Sequence, residues 1–269
     1  MRKNFWSAMD ATGAISNVVP AERRPGVWVC ADAAAVAREA ARRIVELYRG
    51  FIASHGEFSV ALAGGKTPRL LYGLLGSGEF REHFDWTRVH LFWADERPVP
   101  PHHAESNYGM VEQEWLARVP LPPENVHRMQ GEWPSLGQAA QVYEELLRAR
   151  LPLDTRGFPR FHLILLGLGA DGHTASLFPG TVNTANTTRW VTTPQVEQLG
   201  TRRMTLTLPV INAAHHVMFL VTGGEKAPAL RRVLEGDEQP ALPARLVRPS
   251  SGSRIFLVDA AAATELEGQ

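Results

Sequence analysis

Six short runs of this chain are apolar almost without interruption: residues 27–30, 58–63, 89–94, 161–166, 216–221 and 254–258. Runs of that length without polar alternation suit strands buried on both faces of a parallel sheet. Between them lie segments whose apolar residues recur every three or four positions, the period of an amphipathic helix. Val36, Ala40, Ile44 and Leu47 form one such stripe. Asp32 is placed to cap that helix and Gly50 to end it. The spacing predicts further helices from Thr67-Pro68 to Gly76, from Ser106 or Asn107 to about residue 119, from Ser135 to Arg150, over residues 209–214, from Lys226 to about Leu234, and over residues 243–247. Thr67 before Pro68 reads as a hydroxyl cap with proline at the first helical position. Strand and helix alternate, so a mostly parallel sheet with helices on both faces is the expected class. Short strands are also expected at residues 126–129 and 204–208, and a polar loop after Gly180.

The central stretch, residues 161–180, reads FHLILLGLGADGHTASLFPG. A buried strand gives way to Gly167, Gly169 and Gly172, and polar side chains appear where the backbone is freest: Asp171, His173, Thr174 and Ser176. Residues 167–172 fit the G-x-G-x-x-G dinucleotide fingerprint. That fingerprint needs a long helix from its third glycine, and Pro179-Gly180 leaves room for only about two turns. No acidic strand end follows about twenty residues later either. A loop that presents Asp171 and His173 for proton transfer is the better reading, against a plain solvated turn.

Three other strand ends carry chemistry. After the second strand come Gly64, Gly65, Lys66 and Thr67. Glycine loop and helix N-terminus together offer backbone N–H groups and a dipole to an anion. The loop is not a P-loop, because Val60 stands where the first glycine would be. The third strand ends in Asp95, Glu96 and Arg97, followed by a proline-rich loop with His102 and His103. A later strand ends in Gly223, Gly224, Glu225 and Lys226. In a parallel sheet these ends share one rim. Two glycine loops with a lysine suit a phosphate, and two acid- or histidine-bearing ends suit proton movement.

Composition narrows the classes. The chain has 269 residues, 44% hydrophobic and 21% charged, with 28 basic and 28 acidic side chains and no net charge. That fits a soluble globular protein and gives no global reason to bind nucleic acid or an anionic membrane. No apolar run approaches the ~20 residues of a membrane span, and no secretory signal is legible. Cys30 is the only cysteine, which excludes an internal disulfide and fits a reducing cytoplasm. It reads as core. Only Lys3, Lys66 and Lys226 are lysines among the 28 basic residues, and two of them lie in the glycine loops. No G-x-S-x-G nucleophile elbow occurs, and neither histidine pair, 102–103 or 215–216, has zinc-ligand spacing. No metal or cofactor is expected. Residues 1–22 read as a disordered extension and residues 23–269 as one domain.

The segments AGGKTP (63–68), DERPVPPHHAESNYGM (95–110), LGLGADGHTASLFPG (166–180), RMTLTLPVINAA (203–214) and VTGGEKAPALRRVL (221–234) resemble the 6-phosphogluconolactonase family. They occur in that family's order and cover the chain from about residue 27 onward. The wider superfamily includes glucosamine-6-phosphate deaminase. The resemblance implies a three-layer α/β/α fold with a Rossmann-like sheet, as in that deaminase. It implies a cytoplasmic, monomeric hydrolase of 6-phospho-D-glucono-1,5-lactone in the oxidative pentose phosphate pathway, with the phosphorylated lactone as its small-molecule partner. His173 would be the base, with Asp171 or Asp95 orienting it or binding sugar hydroxyls. Gly64, Gly65, Lys66, Thr67, Arg97, Arg203 and Lys226 would hold the phosphate. A deaminase-type isomerisation fits less well, because Leu177-Phe178 stands where the deaminase pattern has Asn-Glu. A non-catalytic sugar-phosphate sensor is the other alternative. Ala63 departs from the lactonase pattern, which has serine there.

Overall fold

A computed structural model describes residues 20–180, 188–237 and 239–266. The strands, in chain order, are β1 (Ala21–Arg24), β2 (Val27–Cys30), β3 (Phe58–Leu62), β4 (Val89–Trp93), β5 (Asp95–Glu96), β6 (Val126–His127), β7 (Leu163–Gly167), β8 (Val191–Thr192), β9 (Gln195–Val196), β10 (Thr201–Arg202), β11 (Met204–Leu206), β12 (His216–Val221) and β13 (Ser253–Asp259). The helices are α1 (Ala33–His55), α2 (Lys66–Leu75), α3 (Asn107–Glu114), α4 (Leu136–Arg150), α5 (Leu208–Ile211), α6 (Ala227–Glu235) and α7 (Pro243–Leu246).

Eight strands form the main sheet in the order β1-β2-β13-β12-β7-β3-β4-β6. Only β1 runs antiparallel to its neighbour; every other pairing is parallel. Helices flank the sheet, as the alternation of elements predicts: α1 packs on α2 and on β13, and α6 on α7. The central strands are apolar throughout because both faces are covered; every residue of β3 is buried, as are Leu163, Ile164, Leu165 and Leu166 of β7.

Strand order places the site. From β3 the chain moves outward to β4 and β6, then returns to β7 and proceeds the other way through β12 and β13. The direction reverses between β3 and β7, where the loops leaving two adjacent parallel strands diverge and open a crevice. The first glycine loop and the 167–180 loop leave these two strands. A second, antiparallel sheet, β5-β11-β8, pairs Met204 with Glu96 and Thr205 with Asp95. It adds the residues after β4 to the same rim.

Four expectations change. Helix α1 does not stop at Gly50; it runs to His55 and ends on Gly56, whose left-handed φ of 80° and N–H bond to the Ile52 carbonyl close it. Gly50 costs the helix some stability but has space on every side. Thr67 is not the cap of α2; that helix begins two residues earlier, at Lys66 after Gly65. The region around Met204 joins the small antiparallel sheet as a three-residue strand. Ala21 and Glu22 belong to β1 and so are not part of an extension. Residues 1–19, and residues 181–187 of the polar loop expected after Gly180, lie outside the described residues. The caps Asp32, Ser106 and Ser135 are as expected, each accepting an N–H of its helix's first turn.

Candidate active site

A cleft of about 620 Å³ opens at the carboxyl ends of β3, β4, β7, β12 and β13. Gly64, Gly65, Lys66, Thr67, Asp95, Arg97, His173 and Lys226 all line it. Asp171 and Arg203 do not line it, but each touches or faces a residue that does.

On one wall, α2 starts with no side-chain cap, behind Gly65 at φ 109°. Its first N–H groups are therefore left for an anion. Thr67 is free of capping because its hydroxyl lies 2.6 Å from that of Thr222, which ties the first glycine loop to the loop after β12. Gly64 is dictated by contact: a Cβ there would lie 1.9 Å from Asn107 Oδ1. Ala63, where the family pattern has serine, is held through its backbone, its N–H donating to Tyr72 Oη and its carbonyl accepting from it. The opposite wall is the turn at residues 223–226. Both oxygens of the buried Asp259 accept the N–H of Gly223 at 3.0 and 3.1 Å, and Oδ1 also accepts that of Ala262.

On the rim, Asp171 Oδ1 lies 2.6 Å from His173 Nδ1 and also accepts the His173 N–H at 3.1 Å. A carboxylate can only accept, so Nδ1 carries a proton, and in the neutral imidazole the lone pair is then on Nε2. Burial pushes the Asp171 carboxyl up, but the His173 N–H and the imidazole's charge outweigh it and hold the group below its usual range. The imidazole stacks on Phe178 with ring centroids 4.2 Å apart. No helix starts between Gly172 and Gly180, the described residues of this loop, so a helix from the third glycine, which the dinucleotide fingerprint needs, is absent there. Instead Gly169 donates its N–H to the His173 carbonyl, Gly172 to that of Gly169, and Ala244 at the start of α7 to that of Gly172.

Asp95 is buried at the cleft wall. Its Oδ2 accepts from Ser176 at 2.7 Å, and Asn107 Nδ2 donates to its carbonyl at 2.8 Å. Ser176 sits just after Ala175, whose φ of 47° is unusual for a residue with a side chain. Neither hydrogen bond connects Asp95 to His173, so the imidazole's partner is Asp171. Arg97 donates from Nη1 to the Glu105 carbonyl at 2.6 Å. Burial, and then the charge of Arg97, lower the pKa of Arg203.

Sequence reasoning missed Asn107, Thr222 and Asp259 as parts of this site. Asp259 had a signal: an acid at the carboxyl end of a buried strand, as at Asp95. Asn107 and Thr222 had none, since they act across the fold. Among the described residues no cluster of three or more His, Cys, Asp or Glu could hold a metal. Cys30 is buried at a sheet strand with its thiol pushed up to about 12, chiefly by burial. No helix among the described residues is long and apolar enough to cross a membrane.

Fold and site together define a class: an α/β enzyme with a cleft at its topological switch point, an uncapped helix N-terminus on one wall and a histidine–aspartate pair on the rim. Residues 31–256 match the family model described as glucosamine-6-phosphate isomerases/6-phosphogluconolactonase. The chain is 40% identical over 216 residues to 6-phosphogluconolactonase of Synechocystis sp., covering 80% of this chain and 87% of the relative. It is 38% identical over 197 residues to 6-phosphogluconolactonase of Treponema pallidum, covering 73% and 80%. The solved structure of 6-phosphogluconolactonase from Trypanosoma brucei is 30% identical and superposes with a TM-score of 0.82 over 90% of this chain and 99% of that one. The chain belongs to the glucosamine-6-phosphate isomerase/6-phosphogluconolactonase family.

Proposed function

We propose that the protein hydrolyses 6-phospho-D-glucono-1,5-lactone to 6-phosphogluconate, the second step of the oxidative pentose phosphate pathway. One observation carries the mechanism: His173, with Nδ1 held by Asp171 at 2.6 Å, lines a cleft walled by two glycine loops. The phosphate rests on the N–H groups of Gly65, Lys66 and Thr67, with Lys226, Arg97 and Arg203 supplying positive charge. That places the lactone carbonyl toward the rim. Nε2 of His173 takes a proton from water as the water oxygen bonds to the carbonyl carbon. The tetrahedral intermediate collapses by breaking the bond to the ring oxygen, which receives the proton from the imidazolium. A lactone is an activated ester, so one group serving as base and then acid is sufficient. Asp171 fixes the tautomer, and its charge favours the imidazolium that forms in between. Asp95, held by Ser176, faces the sugar hydroxyls.

The deaminase-type alternative is disfavoured by the site itself. The position of its assisting glutamate is Phe178, which packs flat on the imidazole. A sensor would need the anion site but not an oriented, half-exposed base. A cytoplasmic location and a monomeric state belong to the same proposal. The location rests on the lone buried cysteine, and size-exclusion chromatography tests the monomeric state.

The test is hydrolysis of freshly generated lactone, corrected for its spontaneous opening, beside deamination of glucosamine 6-phosphate. His173→Ala is expected to lower kcat for the lactone by about two to four orders of magnitude, with product binding weakened far less. Near-wild-type turnover by that variant would remove His173 from the chemistry.

A further inference from the structure

The ladder between β5 and β11 pairs Thr205 with Asp95 and Met204 with Glu96. Arg97 and Arg203 flank the end of this ladder, near enough for the charge of Arg97 to lower the pKa of Arg203. Like charges repel, so something must hold the two this near each other. The Nε–H of Arg97 is buried and meets no acceptor among the described residues, a costly state that an incoming anion relieves.

What holds Arg97 there is its neighbour. Glu96 is 2% exposed, a rare place for a carboxylate. Oε1 accepts the N–H groups of Arg97 and Asn107, each at 2.8 Å. Oε2 accepts the N–H of Tyr108 at 2.8 Å and the Ser106 hydroxyl at 3.2 Å. One side chain thus ties the first residue of the proline-rich loop to the first turn of α3, where the helix dipole also favours its charge. The loop's far end then returns the Glu105 carbonyl to Arg97 Nη1. The Arg97 carbonyl is seated against Gly131, where a Cβ would come within 2.0 Å of it.

We propose that Glu96 is a positioning residue, which holds Arg97 near Arg203 so that the two guanidinium groups receive the substrate's phosphate between them. This rests on the function proposed above. Glu96 acts through Arg97, so its effect belongs in substrate affinity and disappears when Arg97 is removed.

The test is a double-mutant cycle of Glu96→Gln and Arg97→Ala, with thermal melting of each variant. It is read both as KM for the lactone and as Kd for 6-phosphogluconate. Glu96→Gln alone is expected to raise KM about five- to tenfold with kcat within about threefold of wild type. In the Arg97→Ala background the same change should add less than about twofold. Ser106→Ala, which removes one donor to Glu96, should raise KM in the same direction by less, and it decides the matter by the same readout if Glu96→Gln does not fold. Additive losses in the cycle, or a fall in kcat with KM unchanged, would overturn the assignment. A wild-type chain without lactonase activity would instead refute the functional reading, and the Kd cycle would still decide the role of Glu96.

Discussion

Gly169 has an ordinary backbone conformation, yet it has no space for a methyl group. A Cβ built there lies 2.0 Å from His173 Nδ1 and 2.6 Å from Asp171 Oδ1. Comfortable contact between such atoms begins near ~3.5 Å, so the pair must retreat by more than about 1 Å. Displacements of that size cost catalysis about 10²-fold, and complete loss of a positioned base costs up to about 10⁴-fold. Gly169→Ala is therefore expected to lower kcat by about 10²- to 10³-fold. The damage is local, because the loop is open to the cleft on one side. Overpacking of this kind costs about 1–3 kcal/mol, and each kcal/mol lowers Tm by roughly 2–4 °C in a domain of this size. The phosphate site is not touched, so Kd for 6-phosphogluconate should stay within about threefold. Gly50→Ala is the control: nothing lies within 4 Å of its Cβ, it is inside α1, and it should leave kcat alone while raising stability by about 0.5–1 kcal/mol. The assay is steady-state lactone hydrolysis with a thermal melt and product calorimetry on both variants. A folded Gly169→Ala enzyme with wild-type kcat would show that the Asp171–His173 geometry does not set the rate.

Two further outcomes are expected. Lys226→Ala should raise KM strongly and lower kcat less, because phosphate binding is shared by ground and transition states; an unchanged KM would take Lys226 out of the site. At the amino end of the sheet, His162 Nδ1 accepts the Ser59 N–H at 2.9 Å and so must stay neutral; burial first, then the positive charges of His215, His55, His216 and Arg160, pull its pKa down to about 3. Below about 6.5 the unfolded chain takes up a proton that the folded one refuses, so stability should fall as pH drops from about 6.5 toward 3, by about 2 kcal/mol at pH 5 from this group. His215 and His216, each lowered to about 4 chiefly by burial, act in the same direction. Urea unfolding between pH 7 and 5 measures the slope; if His162→Gln leaves it unchanged, the group does not contribute.

Strand positions, helix periods and most caps were legible in the chain because they are local. Alternation of buried runs with amphipathic stripes is enough to demand a parallel sheet, and residues at strand ends then share a rim whatever the strand order. That is why Gly64, Asp95, His173 and Lys226 could be named together from the sequence. The resemblance across residues 27 to 269 added the substrate. What the sequence could not reveal depends on contacts between distant segments. Thr67 follows every local rule for a helix cap, but the tertiary fold brings Thr222 within 2.6 Å and takes its hydroxyl away. Gly50 looks like a stop, but burial of Phe51 outweighs the glycine's cost and carries α1 another turn. Asp95 and Asp171 were equal candidates for His173 until loop geometry gave the imidazole to Asp171 and tied Asp95 to Ser176, 81 positions away. Arg97 and Arg203 come near each other only because β11 returns antiparallel to β5. Local propensity sets which residues can reach the rim; only the closed chain decides which of them meet, because hydrogen bonds and charge pairs act over a few ångströms while the sequence sets partners such as Asp95 and Ser176, or Thr67 and Thr222, 81 and 155 positions apart.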